Sequence, residues 1–117
     1  MGCKALRTLD AALGLHRRGL LDDAASRFYF ALFQATIFAL ERRGERASDH
    51  RPGSSGWTHW MVVRSIARVR GFPRDELLCA QLRRLRLRAD YGMEPVRWTE
   101  IEDLRREVER FVREFGE

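Results

Sequence analysis

Residues 82–92 read Leu-Arg-Arg-Leu-Arg-Leu-Arg-Ala-Asp-Tyr-Gly, and their pattern decides the fold of this chain. Apolar residues recur here and just before at intervals of three or four positions, at Leu78, Leu82, Leu85 and Ala89. That spacing places them on one face of an α-helix. The segment is therefore predicted to be a helix whose inner face packs on a hydrophobic core.

Charged side chains flank this apolar stripe. Arg83, Arg86 and Asp90 lie beside it, whereas Arg84 and Arg88 are expected to point further outward. Arg86 and Asp90 are four residues apart and face each other across one turn. Two interpretations stay open. The pair is a solvated surface ion pair worth at most about 1 kcal/mol, or Asp90 orients the Arg86 guanidinium to bind a phosphate.

Composition predicts one soluble globular domain over residues 1–117. The chain is 44% hydrophobic and 33% charged, which is not the composition of a disordered protein. Its length supports one core and is too short for two. Of 22 basic residues only Lys4 is a lysine. This bias suits bidentate binding of phosphate or carboxylate, but coding bias or heat adaptation also produces it.

Basic residues concentrate in the middle of the chain. Residues 51–91 carry nine basic and three acidic side chains, whereas residues 92–117 carry five basic and eight acidic ones. A positive segment predicts a polyanionic partner such as RNA, DNA or a nucleotide phosphate. The alternative is that the acidic C-terminal helix folds over the basic segment and cancels its charge.

The whole pattern predicts an all-α, antiparallel bundle of about five helices. Periodicity and capping residues give helices over residues 4–18, 22–43, 57–70 and 75–91, and a last helix from residue 99. His16 and Leu20 are placed on the apolar face of the first helix. Asp75 is the expected N-cap of the fourth helix, and Thr99 with Glu102 the capping box of the fifth. Residues 45–56 lack periodicity and are predicted to be a loop carrying His50.

The second predicted helix is apolar on nearly every side. Such a helix is either central to its own bundle or covered by a second copy of the chain, and we expect a homodimer. A seam of small residues would let a neighbouring helix approach closely: Ala24, Ala25, Ala31, Ala35 and Ala39. Arg27 lies either in a phosphate-binding groove beside Arg86 or on the surface with its stem buried.

The sequence predicts no metal site, cofactor or membrane span. Cys3 and Cys79 have neither zinc-ligand spacing nor the pattern of a disulfide framework. The most apolar stretch, residues 28–40, is interrupted by Gln34 and Thr36 and is too short to cross a bilayer. Because no secretory signal follows the first methionine, we expect a cytoplasmic protein.

Several of these features, taken in order, resemble the HEPN domains (higher eukaryotes and prokaryotes nucleotide-binding), especially the small stand-alone prokaryotic members. They are residues 24–35, His50 some way after Gly44, and residues 82–92 ending in Arg-Ala-Asp-Tyr-Gly. The resemblance implies a helical bundle that dimerises and is often encoded beside a minimal nucleotidyltransferase. Active members of the family are metal-independent RNases of toxin–antitoxin or defence systems.

In those active members an arginine is followed four to six residues later by a histidine, and the two copies meet at the dimer interface. Arg86 matches the motif arginine and Asp90 the polar position near it, but Tyr91 stands at the histidine position. An ordinary histidine has a pKa near neutrality, whereas tyrosine, at about 10, stays protonated and is a poor base. This departure weakens the expectation of cleavage.

Three functional hypotheses follow. The leading one is a dimeric HEPN-like module that binds RNA or a nucleotide phosphate and works with a nucleotidyltransferase partner. Its candidate phosphate contacts are Arg83, Arg86, Arg27 and His50. The second is a metal-independent endoribonuclease in which Arg86, Asp90 and Tyr91 are catalytic. The third is a structural helical module whose basic segment pairs with an acidic protein surface.

Overall fold

This computed structural model describes residues 3–44, 73–92 and 94–115. They form four α-helices and, within those ranges, no β-strand: α1 (Cys3–Arg17), α2 (Leu21–Arg42), α3 (Pro73–Tyr91) and α4 (Trp98–Phe115). The predicted all-α bundle is confirmed for this part of the chain. The helix predicted over residues 57–70 and the loop carrying His50 lie outside the described residues, so the count of five stays a prediction.

A tight turn joins α1 to α2. Gly19 has a φ of 76°, a left-handed conformation that glycine adopts without strain. The Gly19 N–H donates to the His16 carbonyl at 3.1 Å, and the Leu20 N–H donates to the Leu15 carbonyl at 3.0 Å. These paired bonds are those of a Schellman motif and end α1 as the sequence predicted. Leu20, predicted to lie on the apolar face of the helix, instead follows it in the turn and is 40% exposed.

α2 is the central helix and packs against each of the other three. Its apolar residues are buried on several sides, and the buried set includes the whole alanine seam: Ala24, Ala25, Ala31, Ala35 and Ala39. The Thr36 hydroxyl enters this core because it donates a hydrogen bond to the Leu32 carbonyl at 2.8 Å. One chain therefore accounts for the apolar character of α2, which gives no support of its own to a homodimer.

α3 begins at Pro73, so the prediction of Asp75 as its N-cap is wrong. Proline suits the first helical position because the N–H it lacks would have no acceptor within the helix. The predicted inner face of α3 is confirmed: Leu78, Leu82 and Leu85 are buried, and Ala89 is partly buried against the same core.

The cap of α4 also differs from the predicted pairing of Thr99 with Glu102. α4 begins at Trp98, and Glu100 Oε1 accepts a hydrogen bond from the Arg97 N–H at 3.0 Å. Because the cap is Arg97, two residues before the predicted Thr99, Glu100 takes the third helical position, from which a carboxylate reaches back to the cap. Glu102 therefore does not cap α4 and lies beside α1 instead.

The end of the bundle where the turn between α1 and α2 lies is here named the turn end, and each of the four helices has a terminus there. His16 of α1 lies beside Glu102 of α4, and Arg88 of α3 pairs with Glu100 of α4. Asp22 Oδ1 at the start of α2 accepts the Val96 N–H at 2.7 Å. Consequently α2 and α4 start at this end, whereas α1 and α3 finish there. Of the described helices, none is both long and apolar enough to cross a lipid bilayer.

Candidate functional site

Arg86 lies where α3 packs against α2. Its guanidinium carbon is 5.2 Å from the centroid of the Tyr29 ring and 4.9 Å from that of Phe30. A cation placed over an aromatic ring gains roughly 0.5–2 kcal/mol, more as water is excluded. Since the side chain is only 26% exposed, the two rings fix the position of the guanidinium at the surface.

Asp90 holds the same guanidinium from within α3. Its Oδ2 atom is 3.4 Å from Arg86 Nε, which is an ion-pair distance without hydrogen-bond geometry. Among the described residues, no hydrogen bond occupies the two terminal nitrogens of Arg86. These nitrogens are therefore available to donate hydrogen bonds to a ligand. We name Tyr29, Phe30, Arg86 and Asp90 the Arg86 site.

The protein interior beneath the Arg86 guanidinium is apolar. Burial raises the pKa of Tyr29 to about 12; the Cys79 thiol adds to this rise, and Arg86 and Arg83 oppose it. Burial also raises the pKa of the Cys79 thiol to about 12, against the opposing charge of Arg83. Both groups are neutral at physiological pH, so neither acts as a base or nucleophile there.

The predicted site residues differ in their position relative to Arg86 and in their exposure. Arg83 is half-buried one turn before Arg86, close enough to Tyr29 and Cys79 to act on both electrostatically. Arg27 is exposed on α2, three residues before Phe30, and among the described residues it makes no ion pair with Asp90. Tyr91, the last residue of α3, is 77% exposed. His50 lies outside the described residues. The structure therefore places Arg83, Arg86 and Asp90 along one side of α3, with Arg27 one turn before Phe30 on α2.

Arg88 does not point outward as predicted. Its Nη2 atom donates to Glu100 Oε1 of α4, and this hydrogen bond raises the pKa of Arg88 and lowers that of Glu100. A cleft of about 510 Å³ lies between α3 and α4 around this pair, lined by Gln81, Arg84, Leu85, Arg88, Glu100, Asp103 and Leu104. Arg88 thus links two helices. Because it is paired with Glu100, it is not among the arginines available to bind a ligand.

Tyr29 and Phe30 were treated in the sequence as part of an apolar helix and not as site residues. Their role depends on Arg86, which is more than fifty positions away in the sequence and meets them only through the packing of α3 on α2. Local periodicity marks both rings as apolar, but it carries no signal that an arginine covers them.

No protein-family model matches this chain, and no curated protein sequence matches it. The resemblance to HEPN domains therefore rests on the motifs alone. In the part of the chain that the structure describes, no three His, Cys, Asp or Glu side chains cluster closely enough to hold a metal ion.

Proposed function

We propose that this chain is a HEPN-like module that binds RNA or a nucleotide phosphate. The observation that carries the proposal is the Arg86 guanidinium, which two rings of α2 and the Asp90 carboxylate hold in place while its terminal nitrogens have no acceptor among the described residues. The dimer, the nucleotidyltransferase partner and a place in a toxin–antitoxin or defence pair belong to the same proposal and rest on the resemblance.

A positioned arginine is suited to phosphate because its planar fork donates two parallel hydrogen bonds to two oxygens. Ordering a long side chain on binding normally costs about 0.5–1.5 kcal/mol. The contacts with Tyr29 and Phe30 have already ordered Arg86, so less of this cost remains when a ligand arrives. Arg83, one turn away, adds a second positive charge to the same surface.

Binding of a fluorescently labelled, mixed-sequence single-stranded RNA tests the proposal. Arg86→Ala removes charge-assisted hydrogen bonds to phosphate and is expected to weaken binding about tenfold or more. Arg7→Ala is the matched control, because Arg7 is exposed on α1, a helix that does not pack against α3. It is expected to change the affinity less than about twofold. Equal losses in the two variants would contradict a dedicated phosphate site at Arg86.

Catalysis is a second candidate function, favoured by the position of Tyr91. Its side chain is largely exposed, directly after Asp90 and five residues after Arg86, so its hydroxyl is open to a ligand at the end of α3. In this alternative the chain is a metal-independent endoribonuclease. Cleavage of an RNA pool in EDTA, abolished by both Arg86→Ala and Tyr91→Phe, supports it. Cleavage that persists in Tyr91→Phe rules out acid–base catalysis by Tyr91.

Oligomeric state and salt response separate these proposals from the structural alternative. Light scattering at micromolar concentration is expected to give twice the mass of one chain, and a monomer would contradict a site formed by two copies. A protein that binds no RNA even at low salt, where phosphate contacts are strongest, would favour the purely structural module.

A further inference from the structure

The turn end exposes large apolar side chains. In the described part of the chain three such residues are exposed, and all lie at this end: Leu20 in the α1–α2 turn, Tyr91 at the end of α3 and Trp98 at the start of α4. A single exposed apolar residue is ordinary, but several at one end of a bundle mark an interaction surface.

Trp98 contacts a buried side chain although it is itself 48% exposed. Its ring stacks on His16, with the centroids 4.1 Å apart and an interplanar angle of 22°. His16 is only 5% exposed; its ring makes a T-shaped contact with Phe28, and its Nε2 lies 3.1 Å from Glu102 Oε2 without hydrogen-bond geometry. One face of the indole therefore rests on buried protein, and the remaining surface forms a flat platform.

Two arginines are next to the residues of this platform in the sequence. Arg97 directly precedes Trp98, and Arg17 directly follows His16 and acts on it electrostatically; both arginines are exposed. An apolar protein interface is usually depleted of charge at its core. Proteins instead bind single-stranded nucleic acid with exposed aromatic rings, on which bases stack, and with nearby cations, which bind the phosphates.

We propose that Trp98 is a stacking site for an unpaired base of single-stranded nucleic acid, with Arg97 and Arg17 binding the adjoining phosphates. This inference rests on the proposed nucleic-acid binding and adds to it a site that contacts bases and is separate from the phosphate contact at Arg86. It also explains why an indole stays exposed next to a buried histidine.

The test compares three ligands of the same sequence: single-stranded RNA, single-stranded DNA and duplex RNA. Trp98→Leu is expected to weaken binding of the single strands roughly 5- to 150-fold and to leave the duplex affinity unchanged, because duplex bases are already stacked. Trp98→Phe keeps an aromatic face and is expected to recover most of the affinity. Arg86→Ala is expected to weaken binding of single strands and duplex alike.

A second readout does not depend on the stability of Trp98→Leu. Poly(U) is expected to quench the tryptophan fluorescence of the wild type, and Trp98→Phe is expected to lose that part of the quenching. Loss of affinity for RNA and DNA alike supports base stacking, whereas a loss confined to RNA would contradict it, because the bases of both offer a face for stacking.

The failures are distinguishable. If Trp98→Leu binds single strands as tightly as wild type while Arg86→Ala does not, only the stacking site is refuted. If wild type binds no nucleic acid, both proposals fail. If Trp98→Leu alters the mass in solution and leaves RNA affinity intact, the surface is a contact between proteins and the stacking site is wrong.

Discussion

At the scale of single residues, burial changes the pKa of His16 more than the attractive charge of Glu102 does. Burial lowers the pKa of His16 from its ordinary value of 6.5, and the Glu102 carboxylate opposes this without reversing it. Glu102 is shared with Arg105, whose Nη2 donates to Oε1 at 2.8 Å, and the charges of Arg105 and Arg17 lower the His16 pKa further. The histidine stacked on Trp98 is therefore neutral in the folded protein at neutral pH.

The neutral His16 makes stability depend on pH. Because its pKa is lower in the folded than in the unfolded chain, the unfolded state binds more protons as the pH falls, and this favours unfolding. The free energy of unfolding is expected to be highest above about pH 7 and to fall as the pH drops through about 6.5. Urea titrations between about pH 5 and 8 measure this trend. Below that range the free energy of unfolding falls further as the carboxyls of Glu100 and Glu102 become protonated, because hydrogen bonds lower their pKa values in the folded protein.

His16→Gln is the control for this pH dependence, because an amide side chain does not titrate. The variant is expected to have a flatter profile between about pH 5 and 7, whatever its stability at neutral pH. A profile as steep as that of the wild type would show that groups other than His16 produce the dependence.

Two glycines are expected to respond to alanine with opposite signs. A Cβ at Gly92 would lie 2.6 Å from the Arg88 carbonyl oxygen, so Gly92→Ala is expected to cost roughly 1–3 kcal/mol of folding free energy. At Gly14, inside α1, the nearest atom to a Cβ is 4.0 Å away. Gly14→Ala is expected to add about 0.5–1 kcal/mol because alanine favours helix. Urea denaturation checks both, and a stabilised Gly92→Ala would contradict the close packing at the end of α3.

At the scale of elements, Asp22 fixes the entry of α4 to the start of α2. Its Oδ1 accepts the Val96 N–H, and Val96 is buried. Asp22→Ala leaves that donor unpaired and is expected to cost about 1–3 kcal/mol. Asp22→Asn keeps an acceptor oxygen and is expected to recover most of the loss.

Asp23→Ala is the matched control, since Asp23 is exposed in the same first turn of α2. It loses only the favourable interaction with the helix dipole, about 0.3–1 kcal/mol. The three variants are compared by their urea midpoints. If Asp22→Ala and Asp23→Ala have equal midpoints, the bond to Val96 does not stabilise the connection to α4.

The described helices were largely predictable from the sequence because each depends on local signals. Gly19 and Gly44 both have positive φ and end α1 and α2 as expected. The predicted starts of α3 and α4 were wrong by one or two residues, since Pro73 and the Glu100 cap begin these helices earlier.

The contacts between helices were not predictable in the same way. The bond from Val96 to Asp22 spans 74 positions, and the stacking of Trp98 on His16 depends on how α4 lies against α1. Periodicity identifies the buried face of each helix but does not specify which residues of two helices meet. For the candidate site, the sequence identified Arg86 and Asp90 as a pair but not the two rings beneath Arg86.

At the scale of the whole molecule, positive charges differ in whether the surrounding structure holds them in one position. Many exposed cations attract a polyanion without placing it, whereas Arg86 of α3 combines charge with a fixed position over two rings of α2. Arg88, by contrast, is paired with Glu100 across α3 and α4. Arg86 is therefore expected to contribute a specific phosphate contact in addition to the general attraction of a basic protein.

The most direct test of this claim is the salt dependence of single-stranded RNA binding by the wild type, Arg86→Ala and Arg7→Ala. For each variant the slope of the logarithm of the binding constant against the logarithm of salt concentration is measured. Losing one phosphate contact is expected to reduce the magnitude of the slope by about 0.7 in Arg86→Ala and to leave it unchanged in Arg7→Ala. Identical slopes and affinities in all three proteins would contradict a phosphate site at Arg86.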